Sequence, residues 1–275
     1  MPSLAAFALF FAAPLVRVVW LSVMRYDTTA IEYVGLKHFA AMAHDAMFWR
    51  SVVNSLMYAL ILVVFTIGGG LTIALHIQPM PHRVQDTMRL IFYLPSLVSA
   101  IVLTGAWKWI FDYRHGLLNY LLGFINVSPV LFFGHRLTAI LAISLIVGVY
   151  SMGGMVLVFS VVMRSIPGEF FEAARADGAT PRQIRLLIIT PMIMRWILFY
   201  VLLQIISAFK IWETIWMMTD GGPMGYTATP LYDIYQTGFI RSAYGVASAK
   251  SLVLAAILLS IALVKNKVEG SMSIW

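Results

Sequence analysis

Residues 137–163 run without a single Asp, Glu, Lys, Arg or His, and residues 51–75 do the same. A helix rises about 1.5 Å per residue, so about 20 apolar residues cross a bilayer core of about 30 Å. Inside hydrocarbon every backbone N–H and C=O must be paired within the segment, which makes helices the natural form of such runs. Four weaker runs accompany them. Residues 90–107 stop at Lys108, and residues 1–16 continue past Arg17 to 24. Residues 196–209 continue through Lys210 and Glu213 to 219, and residues 242–264 are interrupted only by Lys250. The expected fold is therefore all-α: a single transmembrane domain over 1–275, a polytopic membrane bundle of six transmembrane helices. Its spans fall at about 3–24, 51–77, 90–110, 137–163, 195–219 and 242–264.

Composition agrees. The chain is 61% hydrophobic and 11% charged, against about 45–50% and about 25% in soluble domains. That excludes a soluble globular protein, a disordered tail and a nucleic-acid partner. Cysteine is absent, so there is no disulfide framework or thiol nucleophile. The first span extends too far past Arg17, and lacks a small-residue cleavage site, for a removed signal peptide. It also starts without the usual basic leader, which leaves open a leader ahead of Met1.

Six spans put both termini on one side. One set of loops carries 9 basic and 5 acidic residues, and the other carries 6 of each. Basic residues are retained in the cytoplasm, so the first set, with both termini, is expected there. Trp20, Trp49, Trp107, Trp109, Trp212 and Trp216 fall near span ends, as an interfacial belt does.

The loop at 164–194 is unlike the others. Pro167 suits a helix start, Glu169 and Glu172 favour its N-terminal end, and Gly178 suits a left-handed terminator. Phe170, Ala173, Ala174 and Ala176 are expected to give a small-residue face. Thr180 then caps a second helix with Pro181 at its first position. The loop reads as helix, tight turn, helix. It is either a connector lying on the membrane surface or a docking element for a cytoplasmic partner.

Glu172-Ala173-Ala174, three residues, Gly178, nine residues, Ile188 and then Pro191 resemble the EAA loop of ABC-importer permeases. The family usually has Leu before that proline, where this chain has Thr190. The resemblance covers nearly the whole chain and is strongest to the first-permease kind of the maltose- and glycerol-phosphate-type branch. Val34-Gly35-Leu36, Phe48-Trp49, Asn54, Leu94-Pro95, Trp107 to Phe111, Gly116 to Asn119 and Ser165-Ile166-Pro167 carry it. So do Thr219-Asp220-Gly221-Gly222-Pro223 and Tyr244 to Ala249. It implies a bacterial inner (cytoplasmic) membrane protein that imports an oligosaccharide or related sugar or polyol by alternating access. The implied partners are a second homologous permease, two cytoplasmic ATPase subunits and an extracytoplasmic solute-binding protein. ATP and Mg would be bound by the ATPases. Glu172, Ala173, Ala174, Asp177 and Gly178 inherit the ATPase-coupling role.

No G-x-x-x-x-G-K-[ST] stretch exists in the chain, so it is not expected to be an enzyme or to hold a cofactor. Gly68-Gly69-Gly70 reads as close helix packing or a kink. His76 and His82 are spaced for different helix sides, so no metal site is expected.

Charges inside spans usually face a cavity or the bundle interior. Arg17 and Lys108 read as snorkelling to the interface, whereas Lys210 and Lys250 are better candidates for burial. Lys210 and Glu213, three apart, are expected to pair on one helix face. The intramembrane basic surplus leaves an anionic sugar open. Gln204, Ser207, Ile211 and Thr214 recur at helical steps as a polar stripe, and Tyr150, Ser151 and Gly154 cluster in the fourth span. With Lys210 they form the candidate substrate pathway, with interhelical hydrogen bonding as the alternative. A rival reading is an ion-coupled secondary transporter, which would need intramembrane acids beyond Glu213.

Overall fold

The computed structural model describes residues 2–26 and 31–272, with side chains through 263. The question of a leader ahead of Met1, and the side chains of Lys265, Lys267 and Glu269 in the charge count, lie outside the described residues.

In chain order the elements are α1 (Pro2–Ser22), the strands β1 (Met24–Tyr26) and β2 (Ile31–Tyr33), α2 (Lys37–Ala43), α3 (Ala46–Ile77), α4 (His82–Leu97) and α5 (Ala100–Ile110). There follow α6 (Leu117–Phe124), α7 (Arg136–Arg164), α8 (Gly168–Ala176), α9 (Pro181–Met192), α10 (Met194–Ala208), α11 (Glu213–Met218), α12 (residues 230–240) and α13 (Tyr244–Met272). The strands form a small antiparallel ribbon in which Arg25 faces Glu32. The fold is that of an all-α polytopic membrane protein. Helices α1, α3, α7 and Tyr244–Leu263 of α13 are each long and apolar enough to cross a membrane unaided.

Two helix pairs are bent, one inside the expected third span and one where the 164–194 loop meets the expected fifth span. Helices α4 and α5 meet at 90°, and α9 and α10 at 67°. At the first bend Pro95 supplies no backbone donor, the chain tightens over Leu94–Leu97, and Val98 is extended. Helix α7 presses on this bend at Gly153, where a Cβ would lie 2.0 Å from the Phe92 carbonyl oxygen. At the second bend a wide π-turn covers Ile184–Ile189 and Pro191 follows. The Thr190 hydroxyl donates to the Arg185 carbonyl at 2.8 Å. The departure at Thr190 thus caps a carbonyl in a loosened helix.

The chain divides into two compact units, residues 1–55 with 209–268 and residues 56–208 with 269–275. In the second unit α3 and α7 lie close together. A Cβ on Gly70 would sit 2.7 Å from the Met155 Cβ, in keeping with the expected close packing of the glycine run. In the first unit the start of α3 holds residues 224–228. Asn54 donates to the Gly225 and Ala228 carbonyls at 3.0 and 2.9 Å, and Arg50 to the Met224 carbonyl at 2.7 Å.

Candidate functional site

Helix α8 and the start of α9 form the expected helix-turn-helix. Pro167 is the residue before α8 rather than its first helical position. Glu169 lies in the first turn and Arg175 in the last, each matching the helix dipole. The turn is a Schellman closure: the Ala179 N–H reaches the Ala174 carbonyl at 2.9 Å, and the Gly178 N–H reaches that of Arg175 at 3.0 Å. Gly178 has φ +78°, a region open to glycine at little cost. Thr180 and Gln183 then make a reciprocal cap, the Thr180 hydroxyl accepting from the Gln183 N–H at 3.3 Å. The Gln183 Oε1 accepts from the Thr180 N–H at 2.8 Å.

Packing sorts the residues of α8. Ala174 is 8% exposed and is buried in one cluster with Met163, Ile166, Ile184 and Ile189, against which Phe171 and Ala179 pack. Glu169, Phe170, Glu172, Ala173, Ala176, Asp177 and Gly178 are exposed. The expected small-residue face is therefore divided. Ala174 lies on the packed side, and Ala173 and Ala176 lie on the open side with Glu169 and Glu172.

The pathway residues do not share one continuous helix. Tyr150, Ser151 and Gly154 are half-buried on α7, and Gln204 is buried and Ser207 exposed on α10. All five belong to the second unit. Helix α10 ends at Ala208, and residues 209–212 are not helical. Lys210, Ile211 and Thr214 belong to the first unit, with Lys210 exposed and the other two buried. The stripe expected from helical steps is thus interrupted by a break in the helix. The Ile211 carbonyl accepts from the Thr229 hydroxyl, a tertiary partner in place of a helical one. The same break separates Lys210 from Glu213, and no ion pair joins them among the described residues.

The burial expected of Lys210 is likewise corrected, while that expected of Lys250 is found. The Lys250 Nζ lies 2.7 Å from Asp233 Oδ2 and 2.8 Å from Asp45 Oδ2, with the Thr237 hydroxyl at 3.3 Å. Three acceptors match the three donors of an ammonium. The side chains of Lys250 and Asp233 are 3% and 2% exposed, and that of Asp45 is 28% exposed. The Asp45 Oδ1 also caps α3, accepting from the Met47 and Phe48 N–H groups at 2.9 and 3.2 Å. Burial works against ionisation of Asp45, but the Lys250 ammonium and the Phe48 amide hold its carboxyl below the usual value. The positive surplus assigned to the spans is therefore smaller at Lys250 than the linear count implied. Sequence reasoning missed both carboxylates, because Asp233 is 17 residues from Lys250 and Asp45 lies on a different element. The available signal was Lys250 itself: a buried ammonium needs a partner.

A family model described as "binding-protein-dependent transport system inner membrane component" matches residues 70–269. The probable ABC transporter permease YurN of Bacillus subtilis is 28% identical over 95% of this chain and 91% of its own length. The trehalose/maltose transport system permease MalF of Thermococcus litoralis is 27% identical over 98% of this chain and 91% of its own. A solved bacterial ABC transporter that imports the acidic polysaccharide alginate contains a chain with the same fold, at TM-score 0.88 and 20% identity, covering 99% of this chain and 94% of that one. The matched segment contains the EAA loop and all of α7 to α12, so the chain belongs to the family of inner membrane components of binding-protein-dependent transport systems.

Proposed function

We propose that the chain is one permease subunit of an ATP-driven importer of an oligosaccharide or related sugar or polyol, with α8 as the element that couples it to an ATPase. The observation that carries the coupling role is the open face of α8. Glu169, Glu172, Ala173 and Ala176 stand exposed on a helix capped at its C-terminus by Gly178 and seated through Ala174 on a packed cluster. A short helix held at its end and on one side transmits a push as a rigid body. Small residues beside a carboxylate leave room for a partner groove and give it a charge to recognise.

In this reading the subunit pairs with a second, homologous permease, two cytoplasmic ATPase subunits bind ATP and Mg, and an extracytoplasmic binding protein delivers the sugar. The chain lies in a bacterial inner membrane with α8 and both termini in the cytoplasm. Tyr150, Ser151 and Gly154 on α7 and Gln204 and Ser207 on α10, all in the second unit, line its part of the sugar path. The trehalose/maltose relative supports a sugar substrate. The pairing of Lys250 with two carboxylates removes one argument for an acidic sugar.

The test is ATPase turnover of the purified complex with and without substrate-loaded binding protein. Glu172→Lys reverses the charge on the open face and is expected to abolish substrate stimulation while the complex still folds. Gly178→Ala adds a Cβ into open space at φ +78°, so its cost is purely backbone, about 1 kcal/mol, and it should weaken coupling partially. Normal stimulation in Glu172→Lys would end the coupling proposal.

A further inference from the structure

Beside the seat of α8, a cavity of about 150 Å³ is lined by Gln78, His82, Gln85, Arg89, Ser160 and Arg164. All of these residues belong to the second unit. The cavity carries more positive charge than its surroundings balance. The Arg89 side chain is 9% exposed, and Arg89 and Arg164 reach the same oxygen, Oδ1 of Asp86, at 2.8 and 3.2 Å. That single carboxylate is itself 65% exposed, so solvent screens what it offers. The remaining polar neighbour of Arg89 is neutral: its guanidinium donates to Gln85 Oε1 at 2.6 Å. The Gln85 amide nitrogen is committed to the Gln78 and Met80 carbonyls at 2.9 and 2.8 Å.

Two further observations point to a missing partner. The Arg89 Nε and the Ser160 hydroxyl are buried without any hydrogen-bond partner, and both residues line this cavity. A buried unpaired donor on a charged group is costly. A water molecule would satisfy the donors and leave the charge. Two guanidiniums sharing one carboxylate, next to a hydroxyl and an imidazole, match the charge and donor types that recognise phosphate oxygens.

We propose that this cavity is a binding site for a phosphate-type oxyanion, held chiefly by Arg89 and Arg164 with Ser160. The source is free phosphate or the phosphate of a lipid headgroup, which share this chemistry. Bound there, the anion ties the residue that follows α3 (Gln78), the start of α4 (His82, Gln85, Arg89) and the end of α7 (Ser160, Arg164) together. Met163, next to Arg164, is buried in the cluster that seats Ala174 of α8, so the anion stiffens the base on which the coupling helix rests. The binding claim stands on the cavity alone, and only its effect on coupling rests on the function proposed above.

The experiment uses the purified transporter complex in phosphate-free buffer, with ADP and magnesium saturating the ATPase sites. Inorganic phosphate is titrated while the melting transition and the 31P line width are followed. Arg164 is half-exposed, so Arg164→Gln keeps the fold. Arg83→Gln makes the same charge change on α4 outside the cavity and is the control. The expected result is an upward melting shift and 31P broadening in the wild type and in Arg83→Gln. The apparent phosphate affinity should be weaker by about tenfold or more in Arg164→Gln, the loss of one charge-assisted contact. If no added phosphate binds but extraction recovers an anionic phospholipid from the wild type that Arg164→Gln loses, the site stands with a headgroup as occupant. Equal phosphate responses in wild type and Arg164→Gln, or no response together with no retained phospholipid, overturn the proposal. Substrate-stimulated ATPase turnover is read on the same samples. Its absence in a wild type that binds phosphate would count against the permease function and leave the anion site intact.

Discussion

Lys250→Met is the most informative single change in the first unit. The ammonium has two carboxylate oxygens at 2.7 and 2.8 Å, and the carboxylate of Asp233 is only 2% exposed. Removing one partner of a buried pair leaves an uncompensated charge and costs about 3–5 kcal/mol. Asp45, at 28% exposed, regains solvation more readily and adds little, so we take the lower end, about 3 kcal/mol. For a chain of this size that is a fall in melting temperature on the order of 10 °C. The double variant Lys250→Met/Asp233→Leu removes the orphaned charge as well, and apolar replacement of a whole buried pair is often near neutral. It should recover most of the loss. The assay is the melting transition of the detergent-purified complex followed by tryptophan fluorescence, with all variants at matched concentration. A single variant melting within about 2 °C of the wild type, or a double variant no better than the single, would refute the view that this cluster ties α3, α12 and α13 together.

Two further outcomes follow from the geometry. Gly153→Ala places a methyl group 2.0 Å from the Phe92 carbonyl oxygen, and backbone cannot rotate away as a side chain does. A loss of about 3 kcal/mol is expected, visible as lower yield and melting temperature, and a neutral effect would mean that α7 and the α4 bend are not in contact. The Asp45 carboxyl is held below its usual 3.8, so its contribution is complete above that value and is lost as pH falls through the lower folded value. Wild-type melting should therefore drop on acidification below about pH 4, with a shallower drop in Asp45→Asn; parallel profiles would count against it.

Much of the coupling loop was legible because its signals are local. Thr180, Pro181, and Gly178 after a short helix act within one or two turns, and each occupies the expected turn or cap. The side of α8 that faces inward was not legible. Phe170 and Phe171, or Ala173 and Ala174, are chemically alike, and only the position of Ile184, Ile189 and Met163 decides that Phe171 and Ala174 turn in. The substrate stripe failed for a related reason. Steps of three and four define a face only while the helix continues, and the Thr229 tie at Ile211 accompanies a stop that no periodicity announces.

The amino-acid sequence by itself determined that this chain crosses a membrane in helices, which of its loops carries the EAA pattern, and the family to which it belongs. Uncharged runs and capping residues act on the nearest turns of backbone and need no distant partner. Tertiary structure alone decided that two helix pairs bend, that Lys250 is neutralised by Asp45 and Asp233, and that Arg89 and Arg164 share the single carboxylate of Asp86. The physical reason is the range of the interactions involved. A buried charge, or a backbone in contact with a glycine, answers to whatever lies within a few ångströms, and the chain brings those groups together from positions far apart in sequence.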